Sequence, residues 1–222
     1  MRARRQLSAV VAVLLPALAL SACARSRPRE LLRSDLASDL RERHILHVVR
    51  ARPAALEIWT PGLALIGGGG LAVKWGAAWT KDYGLEDPAI ALAPRLGAGF
   101  AEYTGVTVTH VDGVVDDPDN LTALRRITSS GHVLIVRTRD WRLHQDGTAF
   151  STRAKFKYMI DVRLVRVDDG ALVWRERCGR TGTNETPIAR WEQDNAALLK
   201  SNMARAVDYC AEEIVHYLGF KP

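Results

Sequence analysis

The residues that could do chemistry are few and scattered. His44 and His47 stand three apart, close enough to share a metal on one element, yet they straddle an expected change from helix to strand. His110 and Asp112 fall on one side of an alternating segment, where a carboxylate can orient an imidazole as a general base. No nucleophile stands beside them, so the plainer reading is strand-end polarity. Asp116-Asp117 and Asp168-Asp169 read as turn residues, although two acids for glycan cleavage can also be assembled from distant positions. Ser129-Ser130-Gly131 lacks the leading glycine of a nucleophile elbow. No His-Glu-x-x-His and no cysteine metal cluster occurs. Gly67-Gly68-Gly69-Gly70 is followed by no Gly-Lys-Ser/Thr, so it is not a phosphate loop. The sequence therefore nominates no catalytic residue, no metal and no cofactor. The expectation is a protein that is not an enzyme, with a cell-wall hydrolase as the catalytic alternative.

Binding is better represented than catalysis. Arg153, Lys155, Lys157 and Arg163 share parity on an expected long strand, opposite Ala154, Phe156, Tyr158, Ile160, Val162 and Leu164. Arg175 and Arg177 share parity on the returning strand, as do Arg137 and Arg139 on the preceding one. This set is a candidate face for anionic envelope polymers or an acidic protein surface. The alternatives are a solvated antiparallel face or a face covered by the terminal helix.

Cysteine placement speaks to compartment. Arg2, Arg4 and Arg5 precede an apolar run over residues 7–20, and Leu20-Ser21-Ala22-Cys23 follows. A positive head, a short apolar core and small residues make a secretory signal. A run of 14 residues falls short of the roughly 20 that a spanning helix needs. The Leu-Ser-Ala-Cys run resembles the lipobox of bacterial lipoproteins. That resemblance implies cleavage after residue 22 and acylation of Cys23, palmitate included. Ala24 stands where an Asp would resemble an inner-membrane retention signal, so the expected address is the outer membrane, facing the periplasm. Removing the signal lowers the formal charge from +6 to +3. An exported compartment argues against nucleic acid as a partner. It leaves the membrane, through the N-terminal lipid, and an envelope protein or a second copy of the chain.

Cys178 and Cys210 are an even pair in an exported chain, which suggests a disulfide. Leu172, Trp174 and Cys178 share one parity on an expected strand. Leu199, Met203, Ala206, Cys210, Ile214 and Tyr217 step by three or four on an expected helix. Two reduced, buried thiols are the alternative.

The elements that must position these residues follow from periodicity. Residues 23–29 form a short tether, and residues 30–222 one domain. Helices are expected over 30–43, within 85–103 on Ile90, Leu92, Leu96 and Phe100, after Asp119 or Asn120, and over 195–218. Pro94 marks a kink or a later start of the second of these. Strands are expected over 45–50, 106–111, 132–142, 153–167 and 171–178, with Asp168-Asp169-Gly170 as a tight turn. The fold class is α/β (α+β). It has a mixed sheet of about five strands ending in an antiparallel hairpin, flanked by helices, with a long C-terminal helix.

The strand at Ile160-Asp161-Val162, the Asp168-Asp169-Gly170 turn and the return Ala171-Leu172-Val173-Trp174 carry a second resemblance. With the element order, they are similar to curli-secretion (CsgG-like) lipoproteins, lipoprotein activators of penicillin-binding proteins, and the N-terminal domain of TolB. The resemblance implies a non-catalytic adaptor or regulatory subunit in envelope assembly or transport.

Residues 61–79 are Gly-rich, with Lys74 as the single charge. Ala64, Gly68, Ala72 and Gly76 recur every four residues, a stripe that permits close backbone approach between helices. Three readings stand: a loop and short helix packed on the domain, self-association as in a secretion or pore-type subunit, and bilayer insertion.

Overall fold

The computed structural model describes residues 34–59, 68–145, 153–183 and 185–218. The signal segment, Cys23, the tether and residues 60–67, Ala64 among them, lie outside the described residues. The elements are α1 (Ser34–Arg43), β1 (Ile45–Ala51), β2 (Glu57–Trp59), α2 (Gly68–Asp82), α3 (Ala89–Thr104), β3 (Thr107–Val115), α4 (Leu121–Arg125), β4 (His132–His144), β5 (Arg153–Arg166), β6 (Ala171–Thr181), β7 (Thr186–Pro187) and α5 (Ile188–Tyr217). The fold class read from the sequence is the one observed.

Strand order is β3-β1-β4-β5-β6, with β2 beside β4 and β7 beside β5. β3, β1 and β4 run parallel, while β4, β5 and β6 run antiparallel. The chain leaves β1 for β3 by way of α3, then returns past β1 to β4 by way of α4. Two right-handed crossovers in opposite directions land on opposite faces. Hence α3 packs on one face of the sheet and α4 on the other.

The first face is closed. Leu46, Val48, Leu134, Val136, Ile160, Val162 and Leu164 join Leu40 of α1, Leu92, Leu96 and Phe100 of α3, and Leu199, Met203, Cys210 and Ile214 of α5 in one core. Phe100 meets Trp174 edge to face at 5.6 Å, fixing α3 against the hairpin. Asp87 caps α3: its Oδ1 accepts from the Ala89 N–H at 3.0 Å, and Pro88 needs no donor there. Pro94 neither delays the helix nor ends it. It sits on the exposed side, where the Ile90 carbonyl that it leaves unpaired can meet water. Ile90 is 39 % exposed and so falls off the buried stripe predicted for it. At the far end Gly105 takes φ 74°, and its N–H reaches the Ala101 carbonyl at 2.8 Å.

The second face is covered at one end only. Leu124 of α4 packs there on Val49, Ala51, Val133, Ile135, Val165 and Val167. Asn120 starts this helix, its Oδ1 accepting from the Thr122 and Ala123 N–H groups. Ile127 and Gly131, where an apolar face and a stop signal would extend the helix, lie beyond its end at Arg125.

Two bulges correct the parity readings. The register between β4 and β5 slips between Thr138 and Asp140. Arg139 is the extra residue, so Asp140 rather than Arg139 follows Arg137 onto the second face. Between β5 and β6 the register slips at Val173. Leu172 therefore leaves the side of Trp174 and Cys178 and is 51 % exposed.

α2 settles part of the small-residue stripe. Ala72 is wholly buried. A Cβ on Gly76 would stand 1.7 Å from the Leu56 carbonyl oxygen, so only glycine permits this approach of α2 to the chain entering β2. Ala72 and Gly76 thus pack within their own chain. Gly68 opens α2.

Candidate functional site

β5 and β6 set the centre of the open half of the second face. Asp161, at strand centre, has no exposed side-chain surface. Its Oδ2 accepts from Arg163 Nε at 2.6 Å, and its Oδ1 from Arg175 Nε at 2.6 Å and Arg177 Nε at 3.0 Å. Arg163 also bonds Asp119, ahead of α4. Arg137 stands across from Asp161 in register, with its Nε buried and unpartnered. One carboxylate thus organises three guanidiniums from two strands, with a fourth, Arg137, beside it on the next strand.

Burial pushes the Asp161 carboxyl up, and the bonds from Arg175, Arg163 and Arg177 outweigh it, leaving the group below the ordinary carboxylate value. Asp161 is ionised at neutral pH. The guanidiniums keep their charge and gain a fixed orientation. Arg175 and Arg177 spend Nε on Asp161, and among the described residues their terminal Nη groups have no protein acceptor. Their side chains are 32 % and 55 % exposed.

Toward the other end of the strands the charges are balanced. Arg142 grips buried Asp140 through Nε and Nη2, both at 2.6 Å, and Lys157 lies 3.5 Å from the same carboxylate. Lys155 reaches Glu185 at 3.5 Å, and Arg153 donates to the Glu185 carbonyl at 2.9 Å. The six predicted face residues do share a face, but only Arg163, Arg175 and Arg177 converge on one point. Asp161 was missed, although it was the acid in a basic strand with the same parity as Arg163.

Other sequence candidates disperse. Cys178 and Cys210 form a disulfide on the helix-covered face, with Cα atoms 5.6 Å apart. His44 is the single residue between α1 and β1, and His47 lies within β1. His110 lies against α3, where a Cβ on Gly97 would come within 3.0 Å of its Cε1. Asp168 accepts from Arg43 at 2.6 Å, tying the hairpin turn to α1. His132 lies fully buried beneath that link, 3.2 Å from Asp39, and burial lowers its pKa. Among the described residues no group of three or more His, Cys, Asp or Glu is placed to hold a metal. Among them, too, no helix is long and apolar enough to cross a membrane.

No protein-family model matches the chain, and no curated protein matches it. Solved structures with a similar arrangement include a PelC dodecamer from Paraburkholderia phytofirmans, 18% identical over 63% of this chain and 72% of that one, with a TM-score of 0.32. A Helicobacter pylori protein described as a neuraminyllactose-binding hemagglutinin homologue is 14% identical over 79% of this chain and 82% of that one, at 0.42. Lipoprotein GNA1162 from Neisseria meningitidis is 14% identical over 74% of this chain and 99% of that one, at 0.33. At such identities and TM-scores the likeness carries neither a partner nor an activity over to this chain.

Proposed function

We propose that the chain is a lipid-anchored lipoprotein of the outer membrane, facing the periplasm, that recruits an acidic envelope partner and catalyses no reaction itself. It serves as an adaptor or regulatory subunit in envelope assembly or transport. The observation that carries the binding reading is the trio Arg163, Arg175 and Arg177 held by buried Asp161 on the half of the second sheet face that α4 leaves uncovered. Guanidinium Nη pairs fixed at the surface match carboxylates in two-point contacts. Because Asp161 fixes the side chains in advance, less rotamer freedom is lost when a partner docks. The anchor reading rests on Leu20-Ser21-Ala22-Cys23 behind its basic and apolar segments. The CsgG-like and activator resemblance supports the adaptor role through element order alone.

Gentle cross-linking of the native membrane, followed by mass analysis, tests the partner. The reading predicts a mixed complex with an unlike, acidic envelope protein. A closed homo-oligomer would replace it with the secretion-subunit reading, and release of product from purified cell wall would replace it with a hydrolase. For the anchor, Cys23→Ser is expected to move the protein from membrane to soluble fraction; unchanged retention would remove the lipid assignment.

A further inference from the structure

On the helix-covered side of the sheet, a pocket of about 210 Å³ opens between α5 and the β6–β7 edge. Its wall includes Arg180, Arg205, Asn202, Thr181, Thr183 and Trp191, and among the described residues no carboxylate lines it. We infer that this pocket binds a small molecule bearing an oxyanion, a carboxylate or a phosphate, on a hydroxylated body.

The charge balance of the pocket points that way. Arg43, Arg142, Arg163, Arg166, Arg175 and Arg177 all hold carboxylates. Arg180 and Arg205 line one pocket and hold none among the described residues. Arg180 is instead fixed over the ring of Tyr209, 5.1 Å from its centroid, which orients a guanidinium without neutralising it. Two guanidiniums beside one cavity, with no counter-charge in its wall, favour an anion that they can fork.

The remaining wall supplies neutral hydrogen bonding. Asn202 Nδ2 donates to the Leu198 carbonyl at 2.8 Å, which leaves its Oδ1 free to accept from a hydroxyl. Thr181 and Thr183 add hydroxyls, and Phe156 and buried Trp191 form an apolar floor. The volume equals about seven waters of liquid, room for a group of monosaccharide size. The backbone beside the wall departs from helix. Asp194, Asn195 and Ala196 all take left-handed φ of 52–57°, which breaks α5 between Trp191 and Leu198. Strain at three successive non-glycine residues persists where surrounding structure imposes it, as it does around ligand clamps.

The test is calorimetric titration of the full mature protein with inorganic phosphate, D-glucuronate and, as neutral control, D-glucose at fixed ionic strength. Saturable one-to-one binding of phosphate or glucuronate, absent with glucose, is expected. Phosphate alone would name a phosphate-bearing ligand, and glucuronate alone a carboxylate-bearing one. Arg180→Gln with Arg205→Gln should weaken that binding at least 10-fold, and Arg205→Gln alone serves if the double variant fails to fold. Lys74→Gln, on the exposed side of α2, should leave it unchanged; the pocket and the Arg163, Arg175 and Arg177 trio lie on opposite faces of the sheet, so failure here leaves the partner-docking reading intact, and the reverse. Absence of saturable binding by both anions, equal binding of glucose, or retention of binding in the Arg180/Arg205 variant would overturn the inference.

Discussion

The two faces of this sheet hold carboxylates in opposite ways. On the covered face Asp87 accepts from Thr138 Oγ1 at 2.6 Å and from the Ala89 N–H. Burial is the largest influence on it and raises its pKa. On the open face Asp161 is buried too, yet its arginines reverse the effect and the pKa falls. Burial alone therefore does not set the outcome; the supply of guanidinium does. The covered face is built to exclude water, and the open face to present charge at fixed positions.

The largest effect should come from breaking the covered face. Phe100→Ala removes the ring that meets Trp174 and should cost about 3–5 kcal/mol by thermal or denaturant unfolding. Next is the bridge on the same face. Cys178→Ser with Cys210→Ser opens a separation of 32 residues and should cost about 3 kcal/mol, read as a lower midpoint with an unchanged native spectrum. Asp161→Ala breaks the open face by leaving three arginines without their acceptor. Removing one partner of a buried pair costs about 3–5 kcal/mol and of an exposed pair about 0–1, and Arg175 and Arg177 are part-exposed. About 2 kcal/mol is the expected loss.

Acid titration sharpens the contrast. Asp161 has a folded pKa below its unfolded one. Its contribution is complete above the ordinary carboxylate value and is lost as pH falls through the depressed folded value. Asp87 has a folded pKa above its unfolded one, so its contribution is present at low pH and is lost as pH rises through the raised value. Asp161→Asn should flatten the loss of stability below about pH 4, and Asp87→Asn should flatten a gain that comes earlier in the descent, as pH falls from the raised value toward about 4. Unfolding midpoints between pH 2 and 7 check both signs. The smallest effect on stability should be Arg177→Ala, within about 0.5 kcal/mol because its side chain is 55 % exposed.

What the sequence revealed depended on uninterrupted periodicity. The alternation from Ala154 to Leu164 located β5 and its buried side, and the Asp168-Asp169-Gly170 turn located the return strand. The stripe from Leu199 to Ile214 located the long helix and put Cys210 opposite Cys178. Where one residue is inserted, counting fails: the bulges at Arg139 and Val173 sent Asp140 and Leu172 to faces that parity denied them. β2 has three residues, too few to show a period, so nothing in sequence revealed that Gly76 meets Leu56. The pocket was hidden because β6 continues past Cys178 to Thr181, and Arg180 and Arg205 meet only in three dimensions. Asp161 was legible in principle, since an acid of matching parity inside a basic strand is a natural partner for its neighbours.

The most direct test of the docking face is the cross-linked complex formed by Arg175→Glu with Arg177→Glu, beside Lys200→Glu on α5 as a charge-reversal control away from that face. The expected result is loss of the unlike partner in the double variant and retention in the control, with a lowered unfolding midpoint in the double variant, which leaves Asp161 short of two partners but folded at the assay temperature, and a midpoint close to wild type in the control. A double variant that folds and still captures the same partner at wild-type yield would contradict the account.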